Sequence, residues 1–287
     1  LYVLEELAAL HYRKGSLLQA ELFMKRYLRT IRKLRGDKSP KTCRAQLNLA
    51  KIYEAKKQFV KAERLIKQGL INSKKSLSKI DTTYLLLLEK LGWLFQSQGN
   101  AQQAEETLQE AINDSIKHYG TFHEQTCQLM VSVGLFYRAN EKAKAELYFR
   151  RALTIQEELL GTKHIDTIRT MGLLAMQLLD NGELKQAEQT FERTIALRKQ
   201  VCGSDHPETL TAMTNLAVLH TVQGAKEKAE ELYRSVLEIT EKLYGACHPA
   251  TIERMLSLAS IYEELGKIKE AEELRQMAKE ANKGQFN

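Results

Sequence analysis

The hydrophobic residues follow a helical spacing, and the pattern recurs along the whole chain. An Ala-Glu pair returns every 42 residues, once after 41, and a second small residue stands eleven or twelve positions before each pair. Two small residues per repeat predict two closely crossing helices, because larger side chains would overpack the crossing. The small residues are Ala8, Ala50, Gly92, Gly134, Ala175, Ala217 and Ala259, and the paired alanines are Ala20, Ala62, Ala104, Ala145, Ala187, Ala229 and Ala271.

The residues between the helical segments are typical of helix ends. Connectors such as 203–209 and 245–251 read Gly-x-x-His-Pro-x-Thr or a close variant, and all three prolines of the chain lie in connectors. A Gly after one helix and a Pro in the first turn of the next mark a boundary. The joint at 72–84 lacks both residues, and we expect it to be the least regular, a candidate hinge. Within each repeat, the turn residue is Gly15, Lys57, Gly99, Asn140, Gly182, Gly224 or Gly266.

Since Gly and Asn tolerate the left-handed conformation that ends a helix, six of these seven turns predict a regular helix stop. The whole pattern resembles the tetratricopeptide repeats of the kinesin light chain type, which also occur in nephrocystin-3-like proteins and in sensor regions of multidomain signalling ATPases. HEAT and armadillo repeats have comparable periods, but the paired small residues fit them poorly.

The resemblance covers nearly the whole chain. It implies an all-α fold, a right-handed α-solenoid of seven tetratricopeptide-like helix pairs with about 14 helices. We expect a single domain over 1–287 that belongs to a longer protein. Its repeats are predicted at 1–38, 39–79, 80–122, 123–163, 164–205, 206–247 and 248–287.

The net charge of +7 is distributed unevenly, since residues 1–80 hold 20 of the 43 lysines and arginines but only 6 of the 36 aspartates and glutamates. The four cysteines are far apart and show no CxxC spacing, which argues against a zinc site or a disulfide framework. No segment has the length of a transmembrane helix, and no signal peptide pattern follows the first residue. We therefore expect a cytoplasmic protein with reduced thiols.

Four histidines recur with nearly the repeat spacing, but a shared metal site is excluded by distance. Equivalent positions in successive repeats are at least roughly 8 to 10 Å apart, whereas zinc ligands lie about 2 Å from the ion. We expect His123, His164, His206 and His248 at helix starts. No phosphate-binding loop or catalytic motif is present, and acidic residues such as Glu105 and Glu272 are interpreted as solvated groups near helix N-termini. The prediction is no enzyme, metal or cofactor.

The resemblance implies that the first helix of each pair lines a concave groove. Its middle is predicted to be apolar, which favours docking of an apolar or amphipathic segment of a partner protein or of the same protein. The alternative is a different helix phase, with these residues in the core. The candidate groove residues are Arg44, Asn48, Lys51, Lys90, Trp93, Val131, Leu135, Arg138, Arg169, Leu173, Met176, Asn215 and Val218.

In kinesin light chain repeats an asparagine of the first helix holds the backbone of a bound peptide. The matching residues here are Asn48 and Asn215, and the other repeats show Glu6, Lys90, Ser132, Leu173 and Ser257. Each asparagine is either a peptide contact or a structural residue, and Trp93 is either an anchor or a core residue. The residues of a chaperone-type carboxylate clamp are missing around both asparagines, so chaperone tails are not expected ligands.

A basic patch is predicted on the second helices of repeats one and two. It suits an acidic partner, a phosphorylated segment, nucleic acid or anionic lipid, but ordinary solvated surface explains it as well. Because no aromatic platform accompanies the charges, single-stranded nucleic acid has little support. The residues are Lys25, Arg26, Arg29, Arg32, Lys33, Arg35, Lys61, Arg64 and Lys67.

Together these features predict a scaffold that binds a peptide or protein segment in its groove. A second hypothesis keeps the fold but makes the repeats a regulatory sensor within a larger signalling protein. A third makes the chain an adaptor to nucleic acid or an anionic surface through the basic patch.

Overall fold

A computed structural model describes residues 2–74 and 82–284, so the centre of the predicted hinge, 75–81, lies outside the described residues. In this part the chain forms only helices, which confirms the all-α fold class. They are α1 (Tyr2–Arg13), α2 (Leu17–Arg35), α3 (Pro40–Ala55), α4 (Phe59–Lys74), α5 (Thr82–Ser97), α6 (Ala101–Tyr119), α7 (Glu124–Tyr137), α8 (Lys142–Leu160), α9 (Ile165–Asp180), α10 (Leu184–Cys202), α11 (Pro207–Val222), α12 (Lys226–Tyr244), α13 (Pro249–Glu264) and α14 (Ile268–Gly284).

The chain divides into two compact units, unit 1 (Leu1–Phe136) and unit 2 (Tyr137–Asn287). In unit 1 each helix from α1 to α5 packs against the next, and α3 also contacts α5. In unit 2 each helix from α8 to α13 packs against the next, and α9 also contacts α11. In each unit, one pair of first helices from successive repeats is therefore in direct contact.

The predicted small residues lie at the helix crossings. Ala8, Ala20, Ala50 and Ala62 are completely buried, and the equivalent alanines of the later repeats are buried too. Gly92 of α5 shows why: an added Cβ would lie 2.6 Å from Cγ of Leu108 and 3.3 Å from the carbonyl oxygen of Ala104, both in α6. The helices are thus too close for any side chain at this position.

The connector motif caps the start of the helix that follows and ties its first turn to the end of the preceding helix. In the connector before α11, the backbone N–H of Glu208 donates to Nδ1 of His206 over 3.2 Å, and the Thr209 hydroxyl donates to the carbonyl of Gly203 over 2.9 Å. His123, His164 and His248 accept the same backbone hydrogen bond. The histidines therefore lie at helix starts and satisfy N–H groups that have no partner within the helix.

One turn prediction is wrong. Asn140 does not adopt a positive φ, whereas Lys57 does, at 57°. At Lys57 the turn closes with a hydrogen bond from the N–H of Gln58 to the carbonyl of Tyr53, which needs a left-handed residue between them. Repeat four is one residue shorter, and there the N–H of Glu141 donates to the carbonyl of Tyr137, four residues back. The missing residue is the one that would adopt the left-handed conformation, so Asn140 does not have to adopt it.

The glutamates of the Ala-Glu pairs join successive repeats, and the interpretation of these residues as solvated groups is wrong for four of them. Glu21 pairs with Lys56, and Glu230 accepts a 2.6 Å hydrogen bond from Lys267. Glu146 accepts from Asn181 and Glu188 from Gln223, over 2.6 and 3.0 Å. Each carboxylate is buried or half-buried and reaches the end of the first helix of the next repeat or the turn after it.

Candidate functional site

In unit 2, four predicted groove residues line one cleft between α9 and α11, above α10. Arg169, Leu173 and Met176 of α9 face Asn215 of α11 across a cavity of about 190 Å³. The cleft is open because Gly172 has no side chain, and an added Cβ there would touch only Thr194, at 3.6 Å. It offers an apolar surface beside the amide of Asn215, the combination that binds an extended chain.

The floor of this cleft holds a cation that the sequence prediction missed. Arg198 of α10 is buried and forms an ion pair with Glu208 of α11, while the exposed Arg169 pairs with Asp166. Arg198 was missed because only the first helices were expected to line the groove. Its position in the repeat could have indicated a special role, because arginine stands there only in this repeat. The equivalent positions of the other repeats hold the shorter residues Ile31, Ser73, Ser115, Gln156, Thr240 and Asn282.

A second cleft continues between α11 and α13, with a volume of about 500 Å³. Val218 lies in it and is 41% exposed, beside Val222 and Leu256, which are also exposed. Val222 lies one helical turn after Val218, and this spacing could have predicted that both side chains lie in the same cleft. None of the predicted apolar residues of unit 2 belongs to the fully buried core, since Leu173 and Met176 are half-buried. Arg138 does not face either cleft but forms an ion pair with Asp180 at 2.9 Å.

In unit 1, Asn48 and Lys51 of α3 lie opposite Glu5 and Tyr12 of α1 in a cleft of about 300 Å³. Arg44 and Asn48 also line a wider cleft of about 820 Å³ over α2. In that cleft, burial raises the pKa of Tyr27 to about 12, and a hydrogen bond to Glu5 acts in the same direction. The wider cleft is the more polar of the two, whereas the cleft between α1 and α3 combines charged residues with the apolar Ala8, Met24 and Ile52.

Charged residues connect α3 to α5. Lys90 forms an ion pair with Glu54. Burial lowers the pKa of Lys51, with repulsion from Lys90 and Arg44 acting in the same direction. Burial also raises the pKa of Glu89, although a hydrogen bond from Ser132 and the charge of Lys51 oppose the shift. This part of unit 1 suits a polar or charged ligand.

Trp93 is held in place by a hydrogen bond. Its indole Nε1 donates to Oγ of Ser132 in α7 over 2.8 Å, and the ring is half-buried. On the same helix as Ser132, Val131 is half-buried and Leu135 is 37% exposed. Trp93 is therefore a fixed, partly accessible aromatic residue and does not lie in the fully buried core.

The nine residues of the predicted basic patch are all exposed on α2 and α4. None of the helices in the described ranges combines the length and apolar character that crossing a lipid bilayer requires. In the same ranges, no three His, Cys, Asp or Glu residues come together in a way that would hold a metal ion.

Comparison with known proteins identifies the repeats. A tetratricopeptide repeat model matches residues 1–72, 125–200, 166–242 and 225–283, and a second model of the same description matches 85–125. A search of curated proteins found no significant match. Among solved structures, the putative kinesin light chain TPR-like repeats of Podosopora anserina are 24% identical, with a TM-score of 0.64 over 70% of this chain and 96% of that chain.

Two further structures are similar in fold. BtubC (BKLC) from P. vanneervenii is 18% identical, with a TM-score of 0.69 over 84% of this chain and 92% of that chain. A signal transduction ATPase with a tetratricopeptide repeat sensor from Pyrococcus horikoshii is 16% identical, with a TM-score of 0.69 over 96% of this chain and 41% of that chain. The models match most of the chain, and its described helices have the packing that the repeat requires. The chain belongs to the tetratricopeptide repeat family.

Proposed function

We propose that this protein is an interaction module whose unit 2 binds an extended or amphipathic segment of another protein along α9, α11 and α13. Tetratricopeptide repeats typically mediate protein–protein interaction. The observation that carries the proposal is the row of accessible apolar side chains on successive first helices, Leu173, Met176 and Val218, with Asn215 beside them. Apolar side chains of a ligand would gain burial there, and the Asn215 amide would bind its backbone.

The test starts from a random peptide library displayed on phage and selected on the chain. The affinity of a selected peptide is then measured by fluorescence anisotropy for the wild type and for Met176→Asp with Val218→Asp. Placing two carboxylates in the apolar strip should weaken binding at least about tenfold, because truncation or disruption of central contacts typically costs about 2 kcal/mol.

Leu147→Asp is the matched control, since Leu147 is also an exposed apolar residue but lies on α8, a second helix. It should leave the affinity unchanged, and circular dichroism should show wild-type helicity for all variants. Equal affinity of the Met176→Asp, Val218→Asp variant and the wild type would contradict the proposed site. The same measurement on Leu135→Asp tests one of the two predicted apolar groove residues of unit 1, the other being Val131.

A second candidate is a regulatory role within a longer protein, in the cytoplasm. The ATPase of similar fold is described as having its repeats as a sensor, which supports such a use of the architecture. The groove would then be occupied by a segment of its own chain. Crosslinking mass spectrometry on the full-length protein separates the two cases, because an intramolecular occupant gives crosslinks from unit 2 to the same chain at every concentration.

A further inference from the structure

The solvent-exposed faces of α2 and α4 differ from those of the other second helices at the same register. Two residues before the buried alanine stand Leu18 in α2 and Val60 in α4, but the smaller or polar residues Gln102, Ala143, Lys185, Glu227 and Lys269 in later repeats. The side chains of Leu18 and Val60 are 75% and 80% exposed. Further along, α2 carries Leu22, Arg26 and Arg29 where α6 carries Glu106, Glu110 and Asn113. The first two repeats thus expose large aliphatic and basic residues together, whereas α6 is polar or acidic at these positions and α8 has the combination only in part, with Leu147 and Arg151.

Several cations of this face also lack an ion-pair partner among the described residues. Lys25 pairs with Glu21 and Arg32 with Asp37, but the described residues provide no ion pair for Arg26, Arg29, Lys33 or Arg64. On the later second helices most arginines are neutralised, since Arg150, Arg193 and Arg234 each pair with a glutamate. These four cations therefore present a positive field that no carboxylate of the described residues neutralises by an ion pair, although Lys67 is paired with Glu63.

The aliphatic residues distinguish between anionic partners. Duplex nucleic acid offers phosphates but no apolar surface for Leu18, Leu22 and Val60, and the exposed faces of α2 and α4 carry no aromatic residue for stacking. An anionic lipid surface satisfies both features, because lysines and arginines contact the headgroups while aliphatic side chains enter the interface.

We propose that the exposed face of α2 and α4, here called the basic face and formed by Leu18, Leu22, Arg26, Arg29, Lys33, Val60 and Arg64, binds an anionic membrane surface. It uses neither the clefts of unit 2 nor those of unit 1. The basic face would hold the module at a membrane while its clefts remain available to a protein ligand.

The test is co-sedimentation of the full chain with vesicles of phosphatidylcholine plus phosphatidylserine and with vesicles of phosphatidylcholine alone. The wild type should bind only the anionic vesicles, and less at high salt. Arg26→Gln, Arg29→Gln and Lys33→Gln together should weaken binding at least about tenfold, because each cation near an anionic surface adds to the attraction. The double substitution Leu18→Ser, Leu22→Ser should weaken the part of the binding that remains at high salt, because that part comes from the aliphatic side chains.

The matched control is Lys185→Gln, Lys199→Gln and Lys242→Gln, which removes the same charge from exposed positions of α10 and α12. This variant should bind anionic vesicles as the wild type does, and equal loss in both triple variants would overturn the assignment to the basic face. Absence of binding to anionic vesicles would overturn the proposal, as would retention of duplex DNA at a salt concentration where vesicles are not bound. Because all substituted cations are exposed, unchanged circular dichroism is expected and excludes misfolding as the cause.

Discussion

At the scale of single residues, backbone geometry decides where the helix pairs turn. Five of the seven turns within helix pairs place a glycine in the left-handed region, where other residues have a steric cost. Lys57 adopts this region without being a glycine, at φ 57°, and it occupies the same position in its repeat as Gly99, at φ 81°. The tertiary fold of repeat two therefore holds a lysine in a conformation that a glycine would adopt freely.

Replacing Lys57 by glycine should consequently stabilise the chain. The expected gain in unfolding free energy is about 0.5 to 1 kcal/mol, because relief of left-handed strain exceeds the added entropy of the unfolded chain. Gly99→Ala is the matched reversal: nothing lies within 4 Å of its added Cβ, so any loss of stability comes from φ alone. Urea denaturation followed by circular dichroism measures both, and a destabilised Lys57→Gly would contradict the argument.

The carboxylate of Glu21 should make stability depend on acid pH. Burial acts to raise its pKa, but hydrogen bonds from Lys25 and Lys56 outweigh burial and lower the pKa from 4.5 to about 2. Since the folded state binds the proton less tightly than the unfolded state, the stabilisation is fully present above pH 4.5 and is lost as the pH falls toward 2.

Glu21→Gln should remove this contribution, so that the difference in unfolding free energy from the wild type shrinks as the pH falls through that window. Lys56→Gln tests the partner. If the pair acts as described, the double variant loses less stability than the sum of the single variants. Strict additivity at neutral pH would show that the two side chains are not coupled.

At the scale of helices, the crossing within a pair depends on small residues whose environments are not equal. Gly92 and Gly172 both lie inside first helices, but an added Cβ at Gly92 would meet Leu108 at 2.6 Å, whereas at Gly172 it would meet Thr194 at 3.6 Å. The same substitution should therefore have opposite effects at the two sites.

Gly92→Ala should lower the unfolding free energy by about 1 to 3 kcal/mol, because α5 must move away from α6. Gly172→Ala should be neutral or stabilising by up to about 1 kcal/mol, since alanine is the better helix former and ordinary contact distances remain. Thermal denaturation of the pair gives the comparison. If Gly172→Ala lowered the unfolding free energy as much as Gly92→Ala does, the steric explanation would be refuted.

The joints between repeats depend on the half-buried glutamates. Glu230 is buried and binds Lys267 and Arg234, whereas the adjacent Glu231 is exposed. Glu230→Ala should cost about 1 to 3 kcal/mol, because it leaves both cations without their carboxylate. Glu231→Ala should change stability by less than about 0.5 kcal/mol. Equal effects in chemical denaturation would mean that the joint does not depend on this ion pair.

At the scale of the whole molecule, contacts are made between helices that are close in sequence, and the chain divides into two compact units. In such arrays stability is close to a sum of repeat and nearest-neighbour contributions. We expect Gly92→Ala to increase hydrogen exchange in α5, α6 and the helices that pack on them, and to leave α11 to α14 nearly unchanged. Mass spectrometry of exchanged peptides measures this, and a uniform increase along the chain would contradict local coupling.

Much of the fold was determined by the amino-acid sequence alone. The 42-residue period, the buried small residues and the Gly-x-x-His-Pro-x-Thr connectors act within one or two helices, where spacing and residue size are sufficient to predict structure. His206 could therefore be placed at a helix start from the sequence. The exposed charges of α2 could also be predicted from the sequence, because a helix that buries one face must expose the other.

Only the tertiary structure decided which residues of separate helices and turns are in contact. The ion pair of Arg198 with Glu208 and the hydrogen bond between Trp93 and Ser132 join two helices, and the pairing of Glu230 with Lys267 joins a helix to the next turn. The absence of a left-handed residue at Asn140 depends on how the chain closes a shortened turn. The local sequence pattern cannot predict these features. Each depends on the relative position of two elements, which must be correct to within the distance limits of a hydrogen bond.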